Sequence, residues 1–215
     1  MRKIVVTAVI AALIAGGAVW WTIGAVDTAT LSTQNATRAE TSFGDLTADA
    51  LCSAARCTVG LVAAVAFKPG TIPADNPTAQ QIASLLQTPD EKWAVSKLTG
   101  AQIRAALERS LSRLPLPSSA FLQVSGLKVK YDPQAPRNHR ITSLQTNTGP
   151  LEVNKKYQVV MPLFLAKGGS GYFQIFDKDD IVRQGNTGLA TVIKTFVDSK
   201  DKLNYTGQGR ITVGR

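Results

Sequence analysis

Apolar residues fall into short blocks whose spacing changes along the chain. From Asp45 to Ala55, Leu46, Ala50 and Leu51 share one face at helical spacing, so a helix is expected there. Val59 to Val65 is a continuous apolar run, the pattern of a buried strand, and Lys68-Pro69-Gly70 breaks it. Gln80 to Leu86 reads as a second short helix and Trp93 to Leu98 as a strand. Thr99-Gly100-Ala101-Gln102 is a capping box, in which the threonine hydroxyl accepts from the amide three residues on while Gln102 reaches back. Ile103, Leu107 and Leu111 then recur every fourth residue, with Arg104, Glu108 and Arg109 outward, until Leu114-Pro115-Leu116-Pro117 ends the helix.

Farther on, Leu127-Lys128-Val129-Lys130-Tyr131 alternates at period two, and Tyr157 to Val160 does so in part. Asn186 or Thr187 is expected to cap a last helix carrying Leu189, Val192, Ile193, Phe196 and Val197 on one face. Helices and strands mix without strict alternation, which predicts a single α+β domain.

The N-terminus has a different character. Arg2-Lys3 precedes an uncharged run from Ile4 to Val26, a basic flank and apolar stretch that read as an export signal. The run exceeds a signal core of about 7–15 residues and suits a retained hydrophobic helix, a single-pass anchor with Trp20-Trp21 at the far interface. A cleaved signal, with Gly24-Ala25-Val26 as its approximate site, is the alternative. Either way the domain is expected outside the cytoplasm, facing periplasm or cell exterior. Asp27 to Arg38 is rich in Thr, Ser, Asn and Ala without apolar periodicity, and reads as a linker from residue 27 to 38, with the domain over 39–215.

With 44% hydrophobic and 18% charged residues the chain of 215 is globular rather than disordered. Net charge is +9, of which Arg2 and Lys3 supply two. The remaining basic residues are scattered through Lys92–Lys97, Arg104–Arg113 and Lys128–Arg140, with no dense run interleaved with aromatics. A solvated basic surface is therefore expected, and no nucleic-acid partner. Cys52 and Cys57 are the two cysteines, and outside the cytoplasm they read as a disulfide between a helix end and the next strand; two free thiols are the alternative. A zinc site wants about four ligands, and the single histidine, His139, is too distant in sequence.

No hydrolytic constellation is visible. His139 sits in Arg137-Asn138-His139-Arg140, between two strand readings, and reads as a solvated loop residue. Asp177, Asp179 and Asp180 lack the glycine and distal glutamate of a calcium loop and read as a turn. Gly168-Gly169-Ser170-Gly171 is the one glycine-rich loop; its spacing is not that of a P-loop, and a tight turn or an anion nest both fit it. No metal and no cofactor are expected in this chain.

Four segments in order carry a resemblance. They are Arg38-Ala39-Glu40-Thr41-Ser42-Phe43-Gly44-Asp45-Leu46 with Ala48-Asp49-Ala50-Leu51; Lys97-Leu98-Thr99-Gly100; Phe121-Leu122-Gln123-Val124-Ser125-Gly126 running on to Tyr131-Asp132; and Phe164-Leu165-Ala166-Lys167-Gly168-Gly169-Ser170-Gly171-Tyr172. The series resembles the C-terminal, substrate-binding domain of the exported 5'-nucleotidase family. That family's catalytic half is a separate metallophosphatase domain, for which nothing here provides.

The resemblance implies a site in which a nucleobase lies between two aromatic rings, a stacking worth about 1–3 kcal/mol per base in single-strand binders. Phe164 matches one ring. The other comes from a Pro-Phe pair that falls at Thr88-Pro89-Asp90, and Trp93 is the nearest aromatic that could stand in. Lys68 falls where an arginine follows a glycine-rich loop and contacts phosphate; charge is kept but the bidentate fork is lost. Arg38 lies near a second phosphate-contacting arginine. Gly168 and Gly169 match the family loop, and Ser170 replaces the acid that accepts from ribose hydroxyls.

Two functions follow as expectations. One is a stand-alone, non-catalytic binding or interaction module at the cell envelope. The other is the substrate-binding part of a nucleotide-hydrolysing enzyme whose metallophosphatase is on another chain. A structural envelope protein is a third. The partners implied are a nucleotide or nucleoside, a separate metallophosphatase or envelope protein, and the membrane through residues 4–26.

Overall fold

The structure is a computed structural model and describes residues 29–214. The hydrophobic segment read as an anchor or signal lies outside these residues. Among the described residues no helix is long and apolar enough to cross a membrane.

Strand β1 (Thr30–Ser32) is followed by helix α1 (Ser42–Ala55), β2 (Val59–Ala63), a 3-10 turn over Ala64–Ala66, β3 (Thr71–Pro73), α2 (Ala79–Ser84) and β4 (Trp93–Thr99). Helix α3 (Gly100–Leu111) leads to β5 (Leu122–Ser125), β6 (Leu127–Tyr131), β7 (Ile141–Thr146), the short β8 (Gly149–Pro150) and β9 (Lys156–Pro162). The short helix α4 (Leu163–Ala166), β10 (Ile181–Gly185), α5 (Leu189–Asp198) and β11 (Ile211–Val213) complete the chain.

Five strands form the central sheet in the order β10-β4-β9-β2-β5. Strands β2 and β9 run parallel, while the other pairs are antiparallel. Every residue of β2 and of β5 is buried, so this part of the sheet is covered on both faces, which explains the unbroken apolar run at β2. Helix α1 packs on β2, β5 and α5, and α3 bridges β4 to β7 of a second, four-stranded sheet ordered β11-β6-β7-β8. The mixed helix-and-sheet architecture agrees with the α+β expectation.

Local signals place most elements. Thr99 accepts from the Gln102 amide at 3.2 Å while Gln102 Oε1 accepts from the Thr99 amide at 2.9 Å, so the capping box starts α3 as the sequence implies. Helix α5 is capped by neither Asn186 nor Thr187. Gly188 holds the cap position, where a Cβ would lie 2.9 Å from the Asp90 backbone, and so no side chain caps the helix.

From Thr30 on, the segment read as a linker is folded. Thr30–Ser32 pairs with Thr71–Pro73, Leu31 is fully buried, and the Thr33 hydroxyl donates to the Lys68 carbonyl at 2.6 Å. A three-residue strand whose partner lies forty residues away leaves no periodicity to read.

The cysteines are not bonded to each other; both thiols are free. Helix α1 ends with Arg56 in the left-handed region at φ 52°, the Cys57 amide donating to the Cys52 carbonyl at 3.0 Å and the Arg56 amide to Ser53 at 3.3 Å. This is a Schellman ending, and C-x4-C is the spacing of its two characteristic contact positions. The Cys52 sulfur turns toward Gly60 of β2, whereas the Cys57 thiol donates to the Ala55 carbonyl at 3.5 Å. Burial pushes the Cys52 thiol up to about 12.

A half-buried polar cluster ties the C-terminal strand to α1. Asp49 accepts a fork from Arg210, Nη1 at 2.8 Å and Nη2 at 2.7 Å, together with the Tyr205 hydroxyl at 2.9 Å and the Ser125 hydroxyl at 2.6 Å. Asp45, one turn earlier and almost fully buried, lies 3.7 Å from Arg210 Nε, beyond hydrogen-bond reach. Burial pushes its carboxyl up to about 9; the nearby Arg210 charge opposes this, and a hydrogen bond to Glu40 reinforces it.

Candidate functional site

The site forms where strands β2 and β9 end side by side and β4 begins, with Trp93 paired to Pro162. Three walls rise from these ends. The first is the 3-10 turn Ala64–Ala66, the second the loop over residues 87–92, and the third α4 with Lys167. Backbone hydrogen bonds fasten them: Gln87 to the Ala66 carbonyl at 2.8 Å, and Leu163 to the Lys92 carbonyl at 2.8 Å. Between them lies an open cavity of about 490 Å3, within the size range of small-molecule sites. Val65, Ala66, Leu163 and Phe164 give it an apolar floor, and Glu91, Lys92 and Lys167 its charge.

Phe164 is 53% exposed although it follows a fully buried stretch of β9, so its ring is presented rather than packed away. Two contacts set it. The Phe164 amide donates to Glu91 Oε1 at 2.8 Å, and the ring rests on Gly169, where a Cβ would stand 2.4 Å from Phe164 Cε1. Glu91 is half-buried, and burial holds its carboxyl above the usual range, opposed by the Phe164 amide.

The glycine-rich loop is a support. Gly168, Ser170 and Gly171 take φ of 84°, 54° and 79°, so even the serine is left-handed. Arg109 of α3 donates from Nη2 to the Ser170 carbonyl at 2.8 Å, and a Cβ on Gly171 would fall 2.0 Å from that nitrogen. The same guanidinium lies 5.2 Å from the ring centroid of Tyr172, which is fully buried, stacks on Phe176 and donates its hydroxyl to the Ala120 carbonyl at 2.6 Å.

The structure brings Phe164, Gly168, Gly169 and Ser170 together but not the other site residues expected from sequence. Trp93 is buried beside its sheet neighbour β10: its ring lies against Gly185, and the Arg183 guanidinium lies 5.8 Å from it. It cannot supply a second stacking face. Lys68 and Arg38 are exposed and do not line the cavity; Lys68 is tied through its backbone to Leu85 and Thr33. Sequence reading missed Glu91, Lys92 and, as a lining residue, Lys167. The last was legible in principle, since it stands beside the Gly-Gly pair, but Glu91 and Lys92 reach the site only through a loop with no periodic pattern. His139 is exposed in the loop between β6 and β7, and the Asp177–Asp180 acids form a capped surface turn.

The domain is thus a mixed α/β fold that presents an exposed ring beside a glycine-rich turn. The family model described as the 5'-nucleotidase C-terminal domain matches residues 22–178, and the chain belongs to that family. It is 37% identical over 123 residues to a snake venom 5'-nucleotidase of Naja atra, covering 54% of this chain and 23% of the relative. It is 32% identical over 126 residues to the 5'-nucleotidase of Homo sapiens, covering 54% and 21%. The chain thus spans roughly a fifth to a quarter of these relatives' length. Among solved structures, a 5'-nucleotidase precursor from Thermus thermophilus superimposes with a TM-score of 0.76 at 25% identity, covering 86% of this chain and 38% of that one.

Proposed function

We propose that this chain acts as a non-catalytic ligand-binding module of the cell envelope, taking one face of a nucleoside or nucleotide ring on Phe164. The exposed Phe164 ring, fixed by Glu91 and Gly169 over a cavity of about 490 Å3, carries the reading. Aromatic stacking tolerates any planar base, so loss of the opposing ring weakens the grip without abolishing it.

One difference sets this chain's ligand positions apart from the family's. The arginine-bearing glycine loop of the family is here Ala63-Ala64-Val65-Ala66-Phe67-Lys68, most of it buried as strand and turn. Placement at the envelope is supported by Arg2-Lys3 and the apolar run to Val26.

Calorimetry of the full chain with AMP, adenosine and a nucleotide sugar tests this. Heat that disappears in Phe164→Ala supports the reading; no heat at millimolar ligand removes it. Phosphate release from AMP by the purified chain with added divalent metal would overturn the non-catalytic role.

A second reading has the domain supplying substrate binding to a metallophosphatase on another polypeptide, in nucleotide breakdown. It is favoured by the relatives themselves, which carry the name 5'-nucleotidase.

A further inference from the structure

The cavity at Phe164 carries a charge pattern that the residues expected from the family resemblance do not supply. Lys92 precedes β4 and Lys167 follows α4; both are exposed and both line the cavity. Leu163 ties the two together, its amide donating to the Lys92 carbonyl at 2.8 Å and its carbonyl accepting from the Lys167 amide at 3.1 Å. The two side chains therefore arise from two walls of the cavity that are joined at the residue before Phe164. Among the described residues neither ammonium has an ion-pair or hydrogen-bond partner. The one acid in the lining, Glu91, has an oxygen engaged by the Phe164 amide.

We propose that Lys92 and Lys167 form a two-lysine clamp for an anionic group carried by a planar aromatic ligand whose ring lies on Phe164. This rests on the reading of the cavity given above and adds the ligand's charge and the residues that hold it. Lys68 and Arg38 stand away from the cavity lining, so an anion on a ring stacked at Phe164 meets Lys92 and Lys167 instead. Ammonium groups are compact charges with three rotatable donors on flexible stems, without the fixed fork of a guanidinium. Two of them accept phosphate or carboxylate with little demand on geometry. Both lie in solvent, so their pull on an anion falls as salt rises and the Debye length contracts from about 10 Å at 0.1 M.

The test is titration of the full chain with adenosine, AMP and benzoate, at low and at high salt. It is repeated on Lys92→Ala/Lys167→Ala and on Phe164→Ala. Each lysine is exposed, and circular dichroism verifies that the variants fold. AMP should bind about tenfold more tightly than adenosine at low salt, the equivalent of one charge-assisted hydrogen bond. That advantage should vanish in the double lysine variant and at high salt, while adenosine binding is unchanged. Benzoate bound more tightly than AMP, and released by the lysine substitutions, would assign the anion as a carboxylate. Equal affinity for AMP and adenosine, or an advantage that survives the double substitution, overturns the clamp and leaves the stacked ring standing. AMP binding that persists in Phe164→Ala shows that the cavity itself was wrongly read. Absence of binding by all three ligands overturns both.

Discussion

Arg109 holds Ser170 from beneath: its Nη2 donates to the Ser170 carbonyl at 2.8 Å while the guanidinium plane rides over Tyr172. A residue of α3, 61 positions earlier in the chain, thereby fixes the left-handed loop that supports the Phe164 ring. Replacing Arg109 with Ala removes a charge-assisted hydrogen bond and a cation–π contact. The domain should lose about 2 kcal/mol, read by urea denaturation, and amide exchange at residues 168–172 should quicken. Arg109→Lys should recover only part of the loss, since one ammonium cannot both reach the carbonyl and cover the ring.

Ser170→Asp tests whether the departure from the family's acid weakens nucleoside binding. Ser170 already occupies the left-handed region, which Asp tolerates better than most residues, so stability should change by less than about 0.5 kcal/mol. Adenosine affinity should rise about tenfold and that of a dideoxynucleoside should not, because the gain comes from sugar hydroxyls donating to a carboxylate. Equal gains for both ligands would show that the acid does not reach the sugar.

Arg210 anchors the C-terminal strand to α1 through Asp49. Arg210→Ala leaves a half-buried Asp49 carboxylate without its fork, and should cost about 2 kcal/mol. Exchange protection should fall first in β11 and at its parallel partner β6. Undiminished protection there would place the anchor elsewhere.

Asp45 gives the domain a stability that declines with pH. Its carboxyl, pushed from an ordinary 3.8 to about 9, keeps in the folded chain a proton that the unfolded chain releases. Folding therefore becomes costlier as pH rises from about 4 toward 9, by at most about 1.4 kcal/mol per unit. Arg210, Glu40 and Asp49 are the charged groups facing it. Asp45→Asn, which cannot ionise, should be increasingly more stable than the wild type between pH 5 and pH 9 in denaturant titrations. Parallel curves would show that Asp45 is already ionised when folded.

The two thiols should differ in reactivity. Cys52, raised to about 12 by burial, should resist alkylation at pH 8 in the folded protein. Cys57 is also raised by burial, but Arg183 opposes this, so it should react first. Mass spectrometry of partially alkylated protein distinguishes the two, and prior modification of Cys52 would contradict the packing of α1 on β2.

The sequence by itself determined the elements whose signals are local. The period of Ile103, Leu107 and Leu111, the Thr99 capping box, the apolar run of β2 and the alternation of β6 all record contacts within a few residues or burial of a whole face. Four ordered segments also placed the chain in its family and pointed to Phe164, because a ring beside paired glycines is a local pattern.

Tertiary structure decided what depends on distant partners. It recruited Thr30–Ser32 into a sheet through a strand about forty residues on, turned the Cys52 and Cys57 thiols to separate neighbours, and buried the Trp93 ring against Gly185 of β10. It also gathered Glu91, Lys92 and Lys167 around Phe164 while leaving Lys68 and Arg38 outside. A side chain's direction at a loop is set by the backbone hydrogen bonds that fasten the loop to its neighbours, and those bonds leave no trace in residue order.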